Sequence, residues 1–359
     1  MDAEEICEDD EPSSTDLIRL VLIVGMGTTV CIIGILLNTM LLVSFWRLQF
    51  RNSNLLYLFL LAVFDIFVEL CFMFIFPSAL IWEYFRVEAL YVAWHHYIRY
   101  VSTSGQVLIA ASTLLIVSAS FERYICSLQS TSGFEPRKRV AVITLVLLLA
   151  LVMKGSVYFE LEMQFLPHCP IFTSLRLDLS ELTRSESYKT IWMFWCRNFL
   201  NVFLPFSLLL MLNTATIANL NRYSKESVIE AELERAELLS EYNDSKLPSL
   251  LHGSAAAAEA RKKKKDATRT LAALVTVYLL TNTLNLLLTI MEFIRPEWLR
   301  NLGEGRIYKY LADLSSLLTI SSTATRLPVY FHCNREIRKQ LRHFFAQFGN
   351  CRSKKEVML

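Results

Sequence analysis

The chain has 359 residues, 53% of them hydrophobic and 12% aromatic, with a mean hydropathy of +0.37. Only 19% are charged, below the roughly 25% usual in soluble domains, and the net charge of +2 is concentrated in clusters. The apolar runs between clusters exceed the ~18 residues that span a hydrocarbon core, which excludes an ordinary soluble domain and predicts an all-α membrane protein.

The first sixteen residues carry eight acidic side chains and no basic one, the reverse of the positive start of a cleavable signal peptide. The first apolar run, about 17–46, is therefore read as a retained span. Arg47 and Arg51 follow it, so the positive-inside rule puts the N-terminus outside. Six more runs follow, at about 54–82, 95–126, 138–160, 189–221, 267–294 and 306–331. Connections are short except for an outer loop, 161–188, and an inner one, 222–266. Alternating sides gives about twenty-four Lys and Arg inside and about twelve outside, as the rule requires. The predicted architecture is a seven-transmembrane helix bundle over 17–331, behind a short acidic extracellular segment, 1–16, and ahead of a cytoplasmic region, 332–359.

In the inner loop, 227–240 is rich in helix formers and reads as a continuation of the fifth helix. Pro248 and Gly253 then read as helix breakers, ahead of the basic run Arg261 to Lys265, which reads as a headgroup anchor. Past the seventh span, Asn334 to Phe348 sets Ile337, Leu341, Phe344, Phe345 and Phe348 on one face and basic residues on the other. That predicts an amphipathic eighth helix on the inner leaflet, touching membrane lipids. Cys351 just beyond it is placed for palmitoylation. The eight cysteines form no CxxC or Cys/His cluster, so neither a metal nor a cofactor is expected.

Ionisable and amide groups inside spans carry the information, because each costs several kcal/mol unless paired or solvated. The informative polar residues include, in order, Asn38, Asp65, Ser112, Glu122-Arg123-Tyr124, Asn282, Asp313 and Arg326. Read with Gly34-Ile-Leu-Leu-Asn38, Leu61-Ala-Val-Phe-Asp65, Pro205 and Arg326-Leu-Pro-Val-Tyr330, the series resembles the rhodopsin-like G-protein-coupled receptors across the whole transmembrane region. A narrower resemblance, to invertebrate FMRFamide-type and myosuppressin-type peptide receptors, rests on Tyr158-Phe159-Glu160, Thr173-Ser-Leu-Arg176, Leu204-Pro205-Phe206 and Thr281-Asn282-Thr283. Asn282 stands where most of the superfamily has Trp.

The resemblance implies a plasma-membrane receptor that binds an amidated neuropeptide and activates a heterotrimeric G protein. Glu122, Arg123, Tyr124 and Tyr330 would form the activation switch, with Arg123 paired to Glu122 when closed. Asn38, Asp65, Ser112 and Arg326 would form a core polar pocket, in which an Asp65–Arg326 pair replaces bound sodium. Ligand contacts are expected from Gln106, Trp195, Asn282, Asn285, Glu292, Tyr310 and Asp313, with Glu160 and Glu162 at the mouth. Glu292, Asp313 and the acidic N-terminus would attract a cationic peptide. Three positions depart from the family: Ile98 stands for the third-helix cysteine, Leu284 for the sixth-helix proline and Arg326 for the seventh-helix asparagine. Cys169 thereby lacks its family partner, leaving a bond to Cys7, a bond to Cys196 or a free thiol.

Other classes lack their parts. No HExxH, GxSxG or P-loop is present, so an enzyme is not expected, and nothing marks a nucleic-acid partner. A retinal protein would need a lysine deep in the seventh helix, where 320–326 has none. A transporter or channel would show inverted repeats, broken helices or a polar file through the bundle. A small-molecule chemosensory receptor of the same fold is the alternative within the receptor class.

Overall fold

A computed structural model describes residues 7, 14–47, 56–128, 135–219, 222, 247–295, 297–298, 306–335 and 337–342, without the side chains of 14–16, 47, 127, 247–264 and 293. Helix α1 runs from Ser14–Arg19 through π-helical turns at Leu20–Gly27 into Thr28–Arg47. Helices α2 (Leu56–Phe85) and α3 (Glu88–Leu128) follow. Helix α4 is Pro136–Gly155, extended by the short turn Val157–Glu160. Helix α5 spans Tyr188–Asn219 and begins in π-helical turns at Tyr188–Cys196 and Phe199–Phe203. Helix α6 is Leu247–Ile294, and α7 is Arg306–Ala324, continued by Arg326–Cys333.

Together they form a seven-helix bundle: α2 packs on α1 and α3, α3 on α4, and α7 closes the ring against α6 and α1. Helices α1 to α6 are long and apolar enough to cross a membrane. Helix α7 is richer in Ser and Thr, and buries Asp313, Ser315, Ser322 and Thr323. Large apolar side chains face outward, as on α4, where Val140, Leu145, Leu148, Leu151 and Val152 are all exposed. In a bilayer that surface is matched to its solvent rather than to a partner.

Tyr57, Leu61, Leu115, Ile116, Ile143, Leu209, Leu271 and Val275 form one buried apolar cluster. A second joins Leu41, Phe45 and Ala62 to Leu274, Leu327 and Tyr330, and takes in Ile337 and Leu341. The chain is helical again over 337–342, so two residues of the expected eighth-helix face are packed on the bundle. Phe344, Phe345, Phe348 and Cys351 lie outside the described residues, as does 227–240.

Proline shapes two helices. Pro77 inside α2 cannot donate to the Met73 carbonyl. The Ser78 hydroxyl donates there instead, at 3.1 Å. The next two carbonyls accept from α3: Phe74 from the Tyr97 hydroxyl at 2.9 Å and Ile75 from Trp94 Nε1 at 3.0 Å. In α7 the helix breaks at Thr325, three residues before Pro328, and restarts at Arg326.

Two elements differ from the sequence reading. Helix α6 runs through Pro248 and Gly253. Pro248 sits in its first turn, where the missing N–H has no intrahelical partner to lose, and a single glycine costs only about 1 kcal/mol in so long a helix. The outer loop is a β-hairpin, β1 (Leu161–Phe165) against β2 (Leu175–Leu179), with Glu162 opposite Asp178 and Gln164 opposite Arg176. The Tyr91 hydroxyl donates to the Leu175 carbonyl and accepts from its N–H, each at 2.8 Å, docking β2 on α3. Cys169, between the strands, is disulfide-bonded to Cys7, while Cys196 is free. Ile98, the residue in the family's cysteine place, is buried.

Candidate functional site

The polar groups gather at three depths. In the core, Asp65 and Glu69 are four residues apart on α2 and so share a face; neither is exposed at all. Arg326 reaches them from the restart of α7, its Nε 2.8 Å from Asp65 Oδ2. Glu69 accepts from Asn38 Nδ2 at 3.2 Å and from the Thr323 hydroxyl at 2.8 Å, which ties α1, α2 and α7 together. Gly34 makes room for it, since a Cβ at that position would overlap the Glu69 carboxylate. Ser112 on α3 is buried, and its hydroxyl has no hydrogen-bond partner among the described residues. Glu69 is absent from the sequence-based set, although its four-residue spacing from Asp65 marked it.

At the inner end, Glu122 and Arg139 form a fully buried ion pair between α3 and the first turn of α4, with Arg139 Nε 3.0 Å from Oε2. This corrects the expected Glu122–Arg123 pair: no ion pair joins those two. Successive helix residues point about 100° apart, so Glu122 faces α4 while Arg123, half-buried, does not. Tyr124 is half-buried, and Tyr330 is buried with its ring edge-on to Phe45 at 5.7 Å between centroids.

The residues expected to contact a ligand each have a definite place. Asp313 is paired with Arg19 of α1, Nε to Oδ2 2.6 Å. Glu292 accepts from the Tyr308 hydroxyl at 2.6 Å. Asn282 turns its amide back to the Tyr278 carbonyl of its own helix, at 2.9 Å. Asn285 is exposed, Tyr310 is half-buried, and Trp195 is exposed beside Phe194. Gln106 accepts from Lys154 Nζ at 3.0 Å. Glu160 is buried, with Arg197 Nη1 2.7 Å from its Oε2, and with the Ser156 and Tyr188 hydroxyls donating to its Oε1 at 3.0 and 2.9 Å. Lys154, Arg197 and Arg139 are absent from the sequence-based set: Arg139 is one of three basic residues at a helix start, while Lys154 and Arg197 lie inside spans and carried the same signal as Asp65. Among the described residues, no group of three or more His, Cys, Asp or Glu could hold a metal ion.

No family model matches the chain, and no curated protein matches its sequence. Solved structures do: the crystal structure of squid rhodopsin superposes with a TM-score of 0.65, at 15% identity, over 95% of this chain and 89% of that one. The chain therefore has the rhodopsin-like seven-helix fold.

Proposed function

We propose that this protein is a plasma-membrane receptor, N-terminus outside, that binds an extracellular ligand between its helices and activates a heterotrimeric G protein. The observation that carries this reading is the placement of charge within the bundle. Two buried ion pairs close helix against helix, Asp65–Arg326 in the core and Glu122–Arg139 at the inner end. A bundle whose helix contacts are discrete polar pairs has two arrangements to choose between, and a ligand that favours one shifts the population. Arg123, half-buried beside the inner pair and within reach of the Glu122 charge, would turn to a cytosolic partner when that pair opens. The resemblance to FMRFamide-type receptors supports an amidated neuropeptide as the ligand.

The test is a G-protein activation assay in transfected cells, challenged with amidated neuropeptides and run beside Arg123→Ala. Activation lost in that variant at unchanged surface expression is the expected result. Silence to every peptide moves the reading to a small-molecule chemosensory receptor. Ligand-driven flux of an ion or solute, with no G-protein response, overturns it in favour of a transporter or channel.

A further inference from the structure

The acidic side chains expected around the ligand are Asp313, Glu292, Glu160 and Glu162. The first three are already engaged: Asp313 by Arg19, Glu292 by Tyr308, and Glu160 by Arg197, Ser156 and Tyr188. Glu162 lies on the exposed edge of the hairpin, opposite Asp178. What stays uncompensated is a cation. Lys154 lies six residues inside the end of the α4 turn at Glu160, about 9 Å deeper along the helix. Among the described residues its hydrogen-bond partner is the neutral amide of Gln106. The charges close enough to act on it are Arg197, of like sign, and Glu160, whose carboxylate is already shared among three donors.

Lys154, Arg197 and Glu160 thus sum to one positive charge between α3, α4 and α5. A lysine at that depth is stable only with a counter-charge or in water. The neighbouring α5 stretch, Tyr188–Cys196, has no buried residue, so that side of the cluster is not sealed by packing. Trp192 stands at its edge, with Nε1 3.3 Å from the Ser156 hydroxyl.

We propose that Lys154, held by Gln106 and flanked by Arg197, is the seat for an anionic group, a carboxylate or sulfate, on the ligand. This rests on the receptor reading above and deepens it: an amidated peptide has no C-terminal carboxylate, so the acid it brings to this seat is a side-chain carboxylate or a sulfate, and its C-terminal amide lies elsewhere. Arg197 keeps Glu160 from neutralising the lysine, and Gln106 fixes the amine on the α3 side. A carboxylate arriving there supplies the missing counter-charge in a low-dielectric setting, where charge-assisted hydrogen bonds are strongest. The aromatic residues beside it favour an acid carried on an apolar or aromatic stem.

The test uses the full-length protein in nanodiscs and needs no G protein. Thermal unfolding is followed with N-acetylphenylalanine and with its uncharged amide as probes, in neutral phosphatidylcholine and again with phosphatidylserine added. The expected result is a rise in Tm with the acid and none with the amide, in neutral discs. Lys154→Met and Lys154→Gln lose the rise, and Lys154→Arg keeps it. Equal shifts with acid and amide, no shift with either, or a shift that survives Lys154→Met overturns the proposal. A rise produced by phosphatidylserine alone and insensitive to the acid overturns it too, since the anion is then a lipid headgroup. The acid–amide contrast in the unmodified protein needs no variant to fold. Failure here with an intact Arg123-dependent G-protein response leaves the receptor reading standing; acid binding without any such response has the opposite meaning.

Discussion

Arg326 is where a single residue changes the chemistry of the core. A guanidinium beside Asp65 supplies within the chain the charge that the carboxylate would otherwise draw from solution. Removing one partner of a buried pair leaves an uncompensated charge, at a cost of about 3–5 kcal/mol. Arg326→Asn is therefore expected to lower Tm in potassium or choline chloride, and sodium is expected to restore part of the loss. A variant as stable as the parent, or indifferent to the cation, would remove the pair from the account. Gly34 gives a second expectation. Gly34→Ala sets a methyl where the Glu69 carboxylate lies and must push it off Asn38 and Thr323, costing about 1–3 kcal/mol. Gly34→Ala combined with Glu69→Gln should recover little, since the amide has the same size, whereas Glu69→Ala should relieve the overlap. Asn38, Asp65 and Arg326 stood out in the sequence because polar groups in apolar runs are rare. Glu69 was just as visible, but its meaning depends on Thr323 and Gly34, which only the folded bundle brings beside it.

At the scale of elements, the contact that orders the inner end is Glu122–Arg139, which joins α3 to the start of α4. Arg139→Gln breaks it and leaves the Glu122 carboxylate buried, so a lower Tm is expected. A higher ligand-independent G-protein signal is expected as well, with Arg139→Lys falling between. Basal signalling and stability both unchanged would show that the pair holds nothing closed. Arg139 could not be singled out from Arg137-Lys138-Arg139, because three basic residues at a helix start look alike until burial selects one. The hairpin was more legible than its reading as plain loop allowed: Leu175-Arg-Leu-Asp-Leu179 alternates with period two. The α6 extension was not, since Pro and Gly are counted as breakers unless their place in the helix is known.

For the molecule as a whole, the bundle and its order were legible because membrane spans declare themselves by length. The disulfide was not, as three cysteines shared the outer side; the fold selects Cys7 for Cys169. A non-reduced digest should yield one cross-linked pair containing these two, with Cys196 labelled by maleimide after denaturation. A Cys169–Cys196 link would mean that the N-terminal segment is tied to the hairpin some other way.

The proline in α2 has a consequence for movement. Three successive carbonyls there, of Met73, Phe74 and Ile75, are answered by side chains, and two of those side chains belong to α3. Sliding α2 along α3 by one residue would strand both interhelical donors at about 1 kcal/mol each, while Gly105 against Cys71 keeps the helices too close for a new register. The outer halves of α2 and α3 are thus keyed to one another like two parts of one frame. Under the receptor reading, the displacement that accompanies activation is expected in the walls hung on that frame, α5, α6 and the Arg326–Cys333 segment of α7.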